Sequence, residues 1–291
     1  MKPRRILLVG DRKNPRVRRA MDDLAPWIAK RVRSVAIAPE RPSALDANDV
    51  DLALIFGGDG AILDAASRLN GRQVPCIGIH LGRFGFLAEL EPANCRDHLE
   101  RIFAGEGAVH ERLVLDASVV RDGKVRFEGR ALNDAVVAAK THARMVTLDL
   151  RVDGKTVGTY RGDGLIVSTP IGSTAHSLAA GGPIIEPDAR SILVTPLASH
   201  ALSIRPLVLN GDRSLSIRPC VDRGRSAVLT LDGQRAVPVK VGDEVRVVRS
   251  PRSFRLMTVV DRSFFDTLRQ KLHWSGAASL DADAANARSR A

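Results

Sequence analysis

The chain has 291 residues, enough for two domains of ordinary size, and 44% of them are hydrophobic, enough for a buried core. No apolar run reaches the roughly 18 residues that a membrane helix needs, and the charged N-terminus lacks the apolar stretch of a signal peptide. The three cysteines are widely spaced and form no CxxC pair, which is typical of small buried residues in a reducing compartment. We therefore expect a cytoplasmic protein without a membrane partner.

The net charge of +11 makes nucleic acid a partner to consider. Most of the excess lies in residues 1–33, which contain eleven Lys or Arg and three acidic residues. Aromatic residues are only 4% of the chain and are not interleaved with these charges, so no platform for base stacking is indicated. A solvated helix face that also attracts polyphosphate ligands explains the pattern better than nucleic-acid binding does.

The first hundred residues alternate between strand and helix patterns. A strand is predicted at residues 5–9, followed by a helix that Asn14-Pro15 begins and that carries an apolar stripe. Further strands are predicted at 35–38, 50–56 and 74–79, with a helix at 61–69. This alternation predicts an α/β domain with a parallel sheet, in which ligands bind at the carboxyl ends of the strands.

From residue 113 onward the pattern changes to short runs with two-residue alternation. Asp-Gly pairs at 122–123, 153–154 and 232–233 separate such runs and predict hairpins. We predict a fold of the α/β plus all-β class. Its parts are an α/β nucleotide-binding domain at 1–110, a mostly antiparallel β domain at 111–253, a C-terminal segment at 254–275 that packs on the first domain, and a disordered tail at 276–291.

Near its C-terminal end the chain also predicts a short amphipathic helix. It spans 264–272, with Phe265, Leu268 and Leu272 on one stripe.

Two glycine-rich segments carry the chemistry. The first, Gly57-Gly58-Asp59-Gly60, follows an apolar strand, so its backbone N–H groups can bind phosphate oxygens. An aspartate among them makes sense if it accepts a proton or holds a metal beside the transferred phosphate. The second segment, 162–183, contains three glycine clusters around Ser173, which we expect to cap a short helix at 174–180. If these segments have no functional role, the first is a tight turn with a solvated aspartate and the second is an ordinary junction between a strand and a helix.

Several motifs together resemble the NAD kinase family, also called ATP-NAD or polyphosphate/ATP-NAD kinases. They cover most of the chain in the family's order: GGDG at 57–60, LGRFGFL at 81–87, LND at 132–134, GDGLIVSTPIGSTAHSLAAGGPI at 162–184, SIRPLVL at 203–209, LDGQ at 231–234 and LRQKLHW at 268–274. The short GGDG motif is shared with lipid kinases, whereas the 162–184 segment is nearly diagnostic of NAD kinases.

The resemblance implies that the adenosine-ribose 2′-hydroxyl of NAD attacks the γ-phosphate of ATP, giving NADP. Asp59 would be the general base, and Gly57, Gly58 and Gly60 would bind phosphate. The residues that would bind NAD are Asp59, Gly60, Asn133, Asp134, Arg144, Arg161, Asp163, Thr174, Ala175, His176, Ser177, Leu178, Ala179 and Gln234. The resemblance also implies a divalent ion, Mg²⁺ by preference with no ligand assigned, and a homodimer or homotetramer.

Four positions depart from the family's common pattern: Ala61 lacks a frequent hydroxyl, Asp64 replaces a frequent basic residue, Asp134 shortens the usual Glu, and His176 replaces a frequent Tyr. A lipid kinase sharing GGDG and a non-catalytic dinucleotide-binding protein stay open as alternatives. The use of NADH, of polyphosphate as donor, and regulation by NADP or NADPH are not determined by these residues.

Overall fold

The computed structural model describes residues 2–40, 43–82, 85–140, 145–199, 201, 203–220 and 227–274. The chain divides into two compact units, Met1–Val259 and Val260–Ala291. The domain boundaries given above stay a prediction.

In chain order the elements are β1 Arg5–Gly10, α1 Pro15–Ala29, β2 Ser34–Ile37, β3 Leu52–Phe56, α2 Asp59–Leu69, β4 Cys76–Ile79, β5 Ala88–Leu90, α3 Cys95–Ala104, β6 Ala108–Arg112, β7 Leu115–Arg121, β8 Lys124–Ala131, β9 Asp134–Ala139, β10 Val146–Val152, β11 Lys155–Gly162, β12 Gly164–Ser168, a 3₁₀ turn Ile171–Thr174, α4 His176–Ala179, β13 Ser191–Leu197, β14 Leu207–Asn210, β15 Leu215–Pro219, β16 Ala227–Leu231, β17 Arg235–Val239, β18 Glu244–Arg249, β19 Phe254–Thr258 and α5 Phe264–Leu272.

The first sheet has seven strands in the order β2-β1-β3-β4-β19-β6, with β5 paired to β4. All of its pairs are parallel except β19 with β6. β3 is buried at every position, as expected for a central strand that helices cover on both faces. The predicted parallel α/β sheet is confirmed, and β19 joins it from a point after the antiparallel sheets.

Helix α1 begins as the sequence predicts. The Asn14 side chain accepts a hydrogen bond from the backbone N–H of Arg16, and Pro15 occupies the first helical position, where no N–H is needed. The predicted stripe of Val17, Met21, Leu24 and Ile28 is buried, and the helix continues through Pro26.

Two six-stranded antiparallel sheets follow. Their orders are β11-β10-β15-β18-β7-β8 and β14-β13-β12-β9-β16-β17. Side chains from both sheets, such as Leu148 of one and Val137 of the other, share one hydrophobic core. The three predicted Asp-Gly hairpins join β7 to β8, β10 to β11 and β16 to β17.

The second unit contains α5. Ser263 and Asp266 cap its start reciprocally, each side chain accepting from the other's backbone N–H. The helix has the predicted bounds, and on the predicted stripe Leu268 is buried whereas Phe265 is 58% exposed. The predicted disordered tail lies outside the described residues.

Two further expectations concern the burial of the cysteines and the presence of membrane-spanning helices. Cys76 and Cys95 are buried free thiols as predicted, whereas Cys220 is exposed. Within the described residues, no helix is long and apolar enough to cross a membrane.

Candidate functional site

The Asp59 turn lies where β3 ends and α2 begins. Gly57 has a φ of +141°, and an added Cβ there would lie 2.7 Å from the Cβ of Ala61, so glycine is required. Asp59 is the first residue of α2. This position is at the carboxyl end of a central parallel strand, where open α/β sheets bind ligands.

The Asp59 carboxylate accepts three backbone hydrogen bonds from the segment that follows β4. Its Oδ2 accepts from Phe86 N–H at 2.8 Å, and its Oδ1 accepts from Leu87 N–H at 3.0 Å and Ala88 N–H at 3.2 Å. An added Cβ at Gly85 would lie 2.1 Å from Oδ1, so glycine permits this approach. The LGRFGFL motif therefore supplies two of the three donors that orient Asp59, and Ala88, directly after it, supplies the third.

Residues 132–134, which we call the 132–134 turn, connect β8 to β9 beside this site. Their three consecutive N–H groups all donate to the Asp232 carboxylate: Leu132 at 2.8 Å, Asn133 at 2.7 Å and Asp134 at 3.1 Å. Asp232 is the first residue of the β16–β17 hairpin turn and has a φ of +50°. The hairpin thus fixes the turn through its backbone.

The carbonyl groups of the same turn are bound from the other side by the end of β12. Leu132 C=O accepts from the Thr169 hydroxyl at 2.6 Å, and Asn133 C=O accepts from the Thr169 N–H at 2.9 Å. The Ser168 hydroxyl also donates to Asn133 C=O, at 3.2 Å. A Cβ at Gly172 would lie 2.1 Å from that carbonyl oxygen. Both polar edges of the 132–134 turn are therefore engaged.

Gln234 links the two parts of the site. Its Nε2 donates to the carbonyl of Gly60 at 3.2 Å. Since Gly60 adjoins Asp59, and Asp232 lies two residues before Gln234, the LDGQ hairpin touches both the Asp59 turn and the 132–134 turn. The predicted residues Asp59, Gly60, Asn133, Asp134 and Gln234 are thus brought together.

Burial governs the electrostatics of the 132–134 turn. Asp134 is only 5% exposed, and burial together with the charge of Asp232 raises the pKa of Asp134 to about 7. Burial raises the pKa of Asp232 as well, against its three N–H donors, which favour the charged form. The Oδ1 atom of Asn133 is buried and has no hydrogen-bond partner within the described residues.

The second glycine-rich segment differs from the prediction at Ser173. This residue lies inside the 3₁₀ turn, where its hydroxyl donates to Pro170 C=O at 2.6 Å and accepts from Ile185 N–H at 2.9 Å. The predicted cap at Ser173 is wrong, because α4 begins at His176 after an N-cap at Ala175 that has no side-chain hydrogen bond. The hydrogen bond to Ile185 instead connects the 3₁₀ turn to the part of the chain that follows Gly182.

The predicted NAD-binding residues of this segment differ in exposure. His176 and Ala179 are exposed, while Thr174, Ala175 and Leu178 are half-buried. Ser177 is fully buried, and its hydroxyl lies 2.7 Å from that of Thr195.

Two other predicted residues are not brought to the Asp59 turn. β12 pairs Ser168 with Asp134 at one end and Gly164 with Ala138 at the other, and Asp163 and Arg161 lie at the Gly164 end. Five residues of strand correspond to about 17 Å along the sheet. Both side chains belong to exposed residues. Arg144 lies outside the described residues.

Comparison with known proteins decides the family. The family model described as ATP-NAD kinase N-terminal domain matches residues 28–107, and that described as ATP-NAD kinase C-terminal domain matches residues 132–259. The chain is similar to the NAD kinase of Magnetococcus marinus, with 38% identity over 92% of this chain and 93% of the relative. It is 43% identical to the NAD kinase of Symbiobacterium thermophilum over 81% of this chain and 82% of the relative. The chain belongs to the NAD kinase family.

Solved structures agree with this assignment. The NAD kinase of Archaeoglobus fulgidus in complex with ATP superposes with a TM-score of 0.72 and 26% identity, over 94% of this chain and all of that one. The yeast NADH kinase complexed with NADH has the same fold, with a TM-score of 0.83 and 23% identity over 95% of this chain and 89% of that one. The prediction of a kinase of this family is confirmed, and the lipid kinase alternative is not favoured.

Sequence reasoning about this kinase missed two contributions to the site. The sequence predicts only a hairpin at Asp232, although the place of this residue in the LDGQ motif is a signal that it does more. The N–H groups of residues 86–88 had only the LGRFGFL motif as a signal, since backbone donors leave no trace in residue type.

Proposed function

We propose that this kinase transfers the γ-phosphate of ATP to the adenosine-ribose 2′-hydroxyl of NAD, with Asp59 as general base. The observation that carries the proposal is the placement of the Asp59 turn, the 132–134 turn and Gln234 in one connected site. A ribose hydroxyl is a poor nucleophile while protonated. A carboxylate that accepts its proton as the new P–O bond forms typically contributes about 10²–10⁴ in rate.

The hydrogen bonds of Asp59 leave capacity for this role. An ionised carboxylate has about four acceptor positions, and three backbone N–H groups use three of them. Oδ1 accepts two bonds and Oδ2 accepts one, so Oδ2 is the atom that would accept the ribose proton. The N–H donors fix the orientation of the carboxylate before the substrate binds, which is the preorganisation that phosphoryl transfer requires.

The 132–134 turn would bind the ribose hydroxyls. The buried Oδ1 of Asn133 lacks a partner, and a hydroxyl donor from the substrate would satisfy it. Ionised Asp134 would accept a second hydroxyl, and its raised pKa makes that contact dependent on pH near neutrality. Both contacts would hold the reacting 2′-hydroxyl in register with Asp59.

The donor would enter beside Gln234. A cavity of about 1200 Å³ adjoins this residue and is lined by α2, β7, β8, β17 and β18, with four arginines in its wall: Arg68, Arg130, Arg235 and Arg246. Arg68 pairs with Asp64 and Arg130 with Asp116, whereas Arg235 lies over the Phe127 ring and pairs with no described carboxylate. A guanidinium without a carboxylate partner suits the triphosphate of ATP.

The remaining site assignments rest on the family resemblance. We propose that Gly57, Gly58 and Gly60 bind phosphate, that Thr174, Ala175, His176, Ser177, Leu178 and Ala179 line the dinucleotide site, and that Arg144, Arg161 and Asp163 contact other parts of NAD. A homodimer or homotetramer in the cytoplasm is proposed on the same ground.

Magnesium would enter with the donor. In the part of the chain that the structure describes, no group of three or more His, Cys, Asp or Glu is placed to hold a metal ion. Mg²⁺ is usually held by substrate phosphates, waters and at most one or two carboxylates, so the triphosphate of ATP and waters would be its main ligands. The ion would neutralise charge on the transferred phosphate.

One assay tests the proposed reaction. Purified protein with NAD, ATP and Mg²⁺ is expected to form NADP, followed with an NADP-specific dehydrogenase. Diacylglycerol or sphingosine in place of NAD should give no phosphorylated product. NAD binding measured by calorimetry without any NADP formation would instead support a non-catalytic dinucleotide-binding protein.

A further inference from the structure

The Asp232 carboxylate lies at the centre of the 132–134 turn without being one of the residues assigned to NAD. It accepts N–H bonds from three consecutive residues that are 98 to 100 positions away in the chain. Oδ1 accepts from Asn133 and Asp134, and Oδ2 accepts from Leu132. Bonds from N–H groups to an ionised oxygen are about twice as strong as neutral ones. One side chain therefore fixes the backbone of both Asn133 and Asp134.

The other two Asp-Gly hairpins of the chain show which contacts of Asp232 do not follow from the hairpin turn itself. Asp122, Asp153 and Asp232 have nearly the same backbone conformation, with φ of +50°, +49° and +50°. The Asp153 side chain bonds the Ser214 N–H and Arg213, both remote from the site, and no bond of the Asp122 side chain is found within the described residues. Turn geometry explains an aspartate in all three hairpins, but only at Asp232 does the carboxylate reach the 132–134 turn.

We propose that Asp232 is a positioning residue for the phosphoryl acceptor, acting through the backbone of Asn133 and Asp134 to hold their side chains in the geometry that binds the ribose hydroxyls. The proposal rests on the proposed function, since it assigns these two side chains to the ribose of NAD. It predicts an effect on NAD that is not shared by ATP.

A second consequence follows from the charge of Asp232. Because that charge, after burial, raises the pKa of Asp134, removing it should lower the pKa of Asp134. NAD binding that improves as Asp134 ionises should then improve at a lower pH. An aspartate whose carboxylate lies away from the 132–134 turn, such as Asp153, would not move this pH profile.

The test compares Asp232→Asn and Asp232→Gly with Asp122→Asn and Asp153→Asn. Asn tolerates positive φ and keeps one acceptor oxygen, while Gly tolerates it and removes the carboxylate. We expect Asp232→Asn to raise the KM for NAD by about 10- to 100-fold and the KM for ATP by less than about twofold. Asp232→Gly should weaken NAD binding at least as much, and the Asp122 and Asp153 variants should match the wild type.

The outcomes separate the inference from the proposed function. If the wild type forms no NADP from NAD and ATP, the proposed function fails and this inference fails with it. If the wild type is active and both Asp232 variants keep its KM for NAD and its pH profile, only the inference is overturned. An equal rise of both KM values, or a loss of Tm in Asp232→Asn well beyond that in Asp153→Asn, would assign Asp232 to the fold and overturn it as well.

Discussion

At the level of single residues, two aspartates organise this site in the same way. Asp59 and Asp232 each accept hydrogen bonds from three consecutive backbone N–H groups. The acceptor capacity of a carboxylate makes this possible, and no neutral side chain offers as many positions. One of these carboxylates is proposed to react, and the other to place the residues that bind the substrate.

Replacing the proposed base should separate binding from turnover. Asp59→Asn keeps the shape of the side chain but cannot accept a proton, so we expect kcat to fall by about 10²–10⁴. The affinity for NAD, measured by calorimetry without ATP, should stay within about threefold of the wild type. Unchanged turnover would remove Asp59 from the role of base.

Asp134 should make stability depend on pH. Its pKa of about 7 in the folded state lies above the value of about 3.9 expected when unfolded. Between these values the folded state binds the proton more tightly, so stability falls as pH rises from about 4 to 7. Asp134→Asn removes this loss. The Tm of the variant minus the Tm of the wild type should therefore be larger at pH 8 than at pH 5.

Expressed as a free energy of unfolding, the change in this difference between pH 5 and pH 8 should be on the order of 1–3 kcal/mol, and thermal unfolding at the two pH values measures it. Asp153→Asn is the matched control. The Ser214 N–H and Arg213 lower the pKa of Asp153, so this carboxylate stays ionised at both pH values. The difference in stability between Asp153→Asn and the wild type should therefore be the same at pH 5 and pH 8. A difference between wild type and Asp134→Asn that does not change with pH would contradict the raised pKa.

At the level of elements, the site depends on how closely a loop approaches a helix start. The segment after β4 reaches Asp59 because Gly85 has no Cβ, and a Cβ would lie 2.1 Å from the Asp59 Oδ1. The same holds at the 132–134 turn, where Gly172 admits the Asn133 carbonyl. These glycines are needed for contact distance and not for a left-handed backbone.

Gly85→Ala should therefore displace residues 85–88 from Asp59. Overpacking of this kind costs about 1–3 kcal/mol of stability, and loss of the N–H donors should lower kcat by about tenfold or more. Gly158→Ala in β11 is the control, because its added Cβ meets open space. Wild-type kcat in a folded Gly85→Ala protein would show that these donors do not support Asp59.

At the level of the whole molecule, the proposed donor and acceptor sites share the β16–β17 hairpin and otherwise use different elements of the 1–259 unit. The 132–134 turn is fixed by β12 and by this hairpin, whereas the large cavity is lined by α2, by β7, β8 and β18 of the other antiparallel sheet, and by β17. Gln234 lies at both. Substitutions in the cavity wall at positions other than Gln234 should therefore change the KM for ATP without changing the KM for NAD.

Arg235→Ala tests this division. Loss of a charged donor to phosphate should raise the KM for ATP by about tenfold, with the KM for NAD changed by less than about twofold. Arg213→Ala is the control, since Arg213 pairs with the hairpin residue Asp153, outside the cavity wall. A KM for ATP equal to that of the wild type would place the donor elsewhere.

The sequence by itself determined the family, the parallel sheet, the Asp-Gly hairpins and the start of α1. These features depend on neighbouring residues: a strand followed by glycines, a turn with positive φ, or an Asn-Pro helix start. The same local reasoning was wrong at Ser173, whose hydroxyl bonds Pro170 and Ile185 and does not cap a helix.

Only the tertiary structure decided the hydrogen bonds of Asp232 to the 132–134 turn, the donors to Asp59 and the raised pKa of Asp134. Each depends on groups that are far apart in the chain, such as Asp232 and Leu132 at a separation of 100 residues. Backbone N–H groups are the same in every residue type, and burial is set by the packing of whole sheets. No pattern of neighbouring side chains can therefore encode them in a form that the sequence alone reveals.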